Sequence, residues 1–131
     1  MRRAMLLLSL VLSIGCLGSD PVATLDGTYT LRSANGAALP YTLSQGAGTK
    51  VELLDDAYMI YLGMTFSQSG RIRTTVNGQP TTANQTRAGN FALEGHSLKF
   101  RSGTGGTERI GNLTGNTLTI IEVGVTYVYN K

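Results

Sequence analysis

The feature that most limits what this chain can fold into is a recurrence. Leu93-Glu94-Gly95-His96-Ser97-Leu98-Lys99-Phe100 and Leu113-Thr114-Gly115-Asn116-Thr117-Leu118-Thr119-Ile120 match position by position. Each reads as strand, Gly-X turn, strand, and glycine at the first turn position suits a type II′ hairpin, where that residue has positive φ. A second echo, Gly-x-aromatic-x-Leu, occurs at Gly27-Thr28-Tyr29-Thr30-Leu31 and at Gly89-Asn90-Phe91-Ala92-Leu93. These units are shorter than solenoid repeats, so they read as successive hairpins of one meander.

Short β-like runs continue along the chain at 27–32, 39–43, 50–54, 58–62, 64–76, 81–93, 98–101, 107–113, 117–123 and 125–129. Asn35-Gly36 and Asn77-Gly78 lie between runs and tolerate the left-handed conformation that tight hairpins require. Gly, Thr, Asn and Ser are abundant, Trp is absent, and no stretch carries the periodicity of an amphipathic helix. The expected class is all-β: an antiparallel meander of about eight strands, closed into an up-and-down barrel so that no edges are left bare. A two-sheet sandwich is the alternative, and its long crossing connection would have to use 39–56.

The first residues read as an address. Arg2 and Arg3 precede an apolar stretch from Ala4 to Ile14, followed by Gly15-Cys16, and Gly18, Ser19, Asp20 and Pro21 come too soon for a membrane span. Leu12-Ser13-Ile14-Gly15-Cys16 resembles a bacterial lipobox. The resemblance implies a signal peptide at 1–15, an acylated Cys16 as mature N-terminus, a tether at 16–25 and a folded domain at 26–131; cleavage after Ala23 is the alternative. Cys16 is the only cysteine, so it has no internal disulfide partner, and several acyl chains would anchor the protein stably. Leu17 follows in place of the Asp that signals inner-membrane retention, which points to the outer membrane, facing the periplasm or the cell surface.

The segments Gly27-Thr28-Tyr29-Thr30-Leu31, Leu113-Thr114-Gly115-Asn116-Thr117-Leu118 and Gly124-Val125-Thr126-Tyr127-Val128-Tyr129 resemble those of the small lipocalin-like domains found in bacterial lipoproteins. That resemblance implies a calyx-like barrel and no defined ligand.

Removing Arg2 and Arg3 from the formal charge of +3 leaves nine Lys and Arg against eight Asp and Glu, which speaks against a nucleic-acid partner. His96, the single histidine, aligns with Asn116 in a hairpin turn, and adjacent Ser97 and Glu94 cannot form an oriented triad with it. No zinc-type ligand set exists, and no cofactor is expected. Asp55-Asp56 reads as a turn, not a calcium site, and Gly103, Gly105 and Gly106 read as a hairpin loop. By alternation Arg71, Arg73, Lys99, Arg101 and Arg109 belong to an outer face, opposite Phe66, Ile72, Leu98, Phe100 and Ile110.

These readings converge on a non-enzymatic, membrane-anchored module. Tyr29, Phe66, Phe91, Phe100 and Tyr127 are expected to line the barrel interior, around a small apolar ligand or as a solid core. A solid core would favour a structural or protein-interaction lipoprotein. A hydrolase or isomerase on the same scaffold is the third class.

Overall fold

The computed structural model describes residues 24–103 and 105–131; the signal peptide at 1–15, Cys16 and most of the tether lie outside the described residues. The described residues form nine strands: β1 Gly27–Ala34, β2 Tyr41–Gly46, β3 Thr49–Tyr61, β4 Thr65–Val76, β5 Gln79–Glu94, β6 Ser97–Ser102, β7 Glu108–Thr114, β8 Thr117–Glu122 and β9 Val125–Asn130. From β2 to β9 each strand pairs with the next, β9 pairs with β1, and β1 pairs with the second half of β3. The result is a closed eight-stranded antiparallel barrel, with β2 as an extra strand on the first half of β3. Closure through β1 excludes the sandwich.

The turns explain the register. The two matched hairpins place Glu94 opposite Ser97 and Thr114 opposite Thr117, with φ of 62° at Gly95 and 57° at Gly115 and no positive φ at His96 or Asn116, as a type II′ turn requires. Asn77-Gly78 and Asn35-Gly36 have positive φ at both residues, the type I′ pattern.

The stretch 39–56 makes no long crossing. It holds β2, a turn at Ala47-Gly48 and the first half of β3. The runs at 50–54 and 58–62 are one strand, and Asp55-Asp56 is no turn but its middle. A bulge between Leu53 and Asp55 shifts the register, so that Asp55 faces outward to Arg71 while Asp56 points inward.

The core occupies one end of the barrel. Phe100 stands at the centre of an aromatic group, with ring centroids 5.0 Å from Tyr58, 5.0 Å from Phe66 and 6.0 Å from Phe91. Tyr29, Ile60, Leu98, Leu118 and Ile120 complete it. Gly111 has no side chain because there is no room for one: a Cβ there would stand 2.8 Å from Leu118 and 3.2 Å from Phe100. Leu25, the last residue of the expected tether, already packs against this core, and the Tyr29 hydroxyl donates to its carbonyl.

Candidate functional site

Successive inward positions of the strands form tiers. Ile60 and Phe66 face each other in the closed half; the next tier toward the other end is Tyr58, Gln68 and Arg87, and the next Asp56, Gly70 and Gln85. Apolar side chains therefore give way to polar ones along the barrel axis. Tyr58 and Tyr129 bridge the two halves, with rings edge to face at 5.3 Å and hydroxyls in the polar tier.

Asp56 is the floor of the open half. Tyr129 donates to its Oδ2 at 2.7 Å and Gln68 at 2.7 Å. Gly70 makes space for it, since a Cβ at position 70 would lie 2.7 Å from Asp56 Oδ1. Burial pushes the Asp56 carboxyl above its ordinary value, opposed by its bonds to Tyr129, Gln68 and the Ala57 amide and by the charge of Arg109. Burial likewise raises the Tyr58 hydroxyl to about 12, and Tyr129 is raised by burial and by facing Asp56.

Arg109 corrects the sequence reading. It points inward, and Ile110, expected inside, is half exposed on the outer wall. Its guanidinium donates to Glu122 at 2.7 and 3.0 Å and to Gln68 Oε1 at 3.0 Å, with the Tyr58 hydroxyl at 3.5 Å. The other four bases expected on the outer face do lie there, each against an acid: Arg71 with Asp55, Arg73 with Glu52, which Lys50 also meets, Lys99 with Glu94 and Arg101 with Glu108. Glu52 is covered by its two basic partners and not by the core, and their hydrogen bonds hold its carboxyl below the ordinary range.

Above this floor the barrel opens into a cavity of about 330 Å³. Leu43, Leu53, Ile72, Val123, Val125 and Tyr127 give it apolar walls, and Gln85, Arg87 and Glu122 give it a polar side. Among the described residues Arg87 makes no side-chain hydrogen bond; its nearest carboxylate oxygen, on Glu122, is 3.9 Å away and already engaged by Arg109. A larger concavity of about 810 Å³ is a trough along β5 and β6, lined largely by outward residues such as Asn90, Lys99 and Arg101.

Of the five residues expected around the interior, Tyr29, Phe66, Phe91 and Phe100 belong to the packed end and Tyr127 faces the cavity. Asp56, Gln68, Arg87, Arg109, Glu122 and Tyr129 were not anticipated at the site. His96 is exposed in its turn, and no group of three His, Cys, Asp or Glu among the described residues could hold a metal ion. The chain matches no protein-family model, no curated protein and no solved structure.

Proposed function

We propose that the protein is an exported lipoprotein, anchored through acylated Cys16, whose barrel binds a small amphipathic molecule at its open end without transforming it. One observation carries the reading: a ligand-sized cavity with apolar walls ends at Arg87, among the described residues the one inner-face cation with no close carboxylate of its own. A volume of about 330 Å³ is at the small end for binding pockets, which run from about 300 to 1,000 Å³. A short aliphatic or aromatic acid suits it, with its apolar body against Ile72 and Val125 and its anionic head on Arg87. The Asp56, Gln68 and Arg109 network is internally satisfied, so it acts as a rigid floor that sets depth.

The test uses 8-anilinonaphthalene-1-sulfonate, an apolar ring system with an anionic group. It should bind with enhanced fluorescence, be displaced by octanoate, and lose about tenfold in affinity in Arg87→Gln, the loss of one charge-assisted hydrogen bond. Ile72→Trp should fill the cavity and abolish binding. Unchanged binding in both variants would refute the site.

A second reading, protein recognition, rests on another observation. Residues 79–88 of β5 pair with β4 on one side only, because β6 begins its pairing at Gly89. That exposed edge is the type of surface to which an extended segment adds as a strand.

A further inference from the structure

From the closed end of the barrel we infer a second surface: the β3–β4 turn, with Leu62 at its tip, dips into the bilayer that holds the acylated Cys16. The inference rests on the anchoring proposed above. Three observations meet at this end. First, Leu62 is 83 % exposed, Tyr61 and Met64 in the same turn are 47 % and 43 % exposed, and Leu93 at the end of β5 is 44 % exposed, so this end presents several apolar side chains to its surroundings. The Met64 carbonyl accepts from the Phe91 amide, which fixes the turn against β5, the strand that ends at Leu93-Glu94.

Second, the chain enters the barrel here. Gly27 pairs with Ile60, and Asp26, Gly27, Tyr61 and Leu62 line one shallow groove. Thr24 is held at this end by the Lys131 ammonium, which donates to its carbonyl and hydroxyl. Third, Thr24 follows Cys16 by eight residues, so their Cα atoms can be separated by at most about 28 Å. An acyl anchor at Cys16 therefore holds the closed end within that distance of the membrane surface. Leucine at a turn tip with a tyrosine behind it is the chemistry of shallow interfacial insertion. The cavity at the opposite mouth would then face away from the bilayer, open to solutes.

The full chain, with Cys16 processed in cells, tests this in vesicles of phosphatidylethanolamine and phosphatidylglycerol. Because Cys16 is the only cysteine, Leu62→Cys and Val123→Cys each give one labelling site for a nitrobenzoxadiazole probe, at opposite ends of the barrel. The probe at position 62 should be quenched by doxyl-labelled lipid, and its quenching by aqueous iodide should be about threefold weaker than at position 123. Equal iodide quenching at the two positions, in protein whose mass shows an acylated Cys16, overturns the inference alone. A chain with no acyl group overturns the anchoring reading and this inference with it. Shielding of position 62 in native membranes but not in these vesicles would assign the surface to a protein partner instead.

Discussion

The two ends of this barrel are built from the same hairpins but solve opposite problems. In the closed half Phe66, Phe91, Phe100, Leu98, Leu118 and Ile120 form one buried cluster, packed so closely against Gly111 that a Cβ there would collide with it. In the open half Gly70 gives its space to a carboxylate, and the interior is tied by hydrogen bonds among Asp56, Gln68, Arg109, Glu122 and Tyr129. Packing dominates the first and hydrogen bonding the second: a close-packed interior leaves no ligand-sized volume, whereas a fixed polar floor under apolar walls leaves volume and gives it a polar side. Cutting into one half should therefore unfold the protein, and cutting into the other should alter it more quietly.

The largest effect is expected from Phe100→Ala. It removes the ring that contacts Tyr58, Phe66 and Phe91 and should cost about 3–5 kcal/mol in urea melts. A loss below about 1 kcal/mol would mean that the closed half is not tightly packed.

Next comes Arg109→Met, which keeps much of the side-chain length but removes the donors to Glu122 and Gln68. It should cost about 1–3 kcal/mol, because Gln68 and half-exposed Glu122 lose charged partners. Arg101→Met, on the outer wall with a well-solvated guanidinium, should stay within about 0.5 kcal/mol of the parent. Equal costs for the two would place Arg109 outside, as simple alternation had it.

That difference also measures how far the chain can be read without its structure. The hairpins were legible because glycine and asparagine at tight turns have few substitutes, and the match between 93–100 and 113–120 set the strand order around them. Arg109 was missed because its neighbour Ile110 looks like the inward residue. Extending the same match backward pairs Gly89, Phe91 and Leu93 with Arg109, Gly111 and Leu113, which puts Arg109 inside. Asp56 was missed because paired aspartates favour turns, although Tyr58 and Ile60 share its face. Both errors have one origin: residues that serve the polar floor break the local pattern that the packed end obeys.

Acid titration separates the halves in another way. Burial raises the Asp56 pKa in the folded state, so between the unfolded and folded values the native protein binds more protons than the unfolded chain. The contribution of Asp56 to stability should be greatest below the unfolded value and fall as pH rises through the folded one, by at most about 1.4 kcal/mol per pH unit for a single proton. Against it stands the opposite slope that the lowered Glu52 carboxyl gives. Relative to the parent, Asp56→Asn should therefore shift the slope toward stability rising with pH in melts between pH 3 and 7, values that bracket the ordinary carboxyl range of about 4. If Asp56→Asn instead made stability rise less steeply with pH than in the parent, the hydrogen bonds to Asp56 would outweigh its burial.

The smallest effect is also the one that joins stability to binding. Val123 has φ of 50° in the β8–β9 turn, followed by Gly124 at 76°, and its side chain is 96 % exposed at the cavity mouth. A β-branched residue in the left-handed region is strained, and Asn-Gly is the pair such a turn prefers, as Asn77-Gly78 shows in the same molecule. Val123→Asn should therefore stabilise the fold by up to about 1 kcal/mol, visible as a raised urea midpoint. If the valine is retained as apolar rim for a ligand, the same variant should bind anilinonaphthalenesulfonate severalfold more weakly while Arg87 and the floor beneath are untouched. A gain in stability with full binding would separate the strained turn from the site. No gain in stability would show that the turn holds valine without strain, and only its place at the cavity mouth would then connect Val123 with binding.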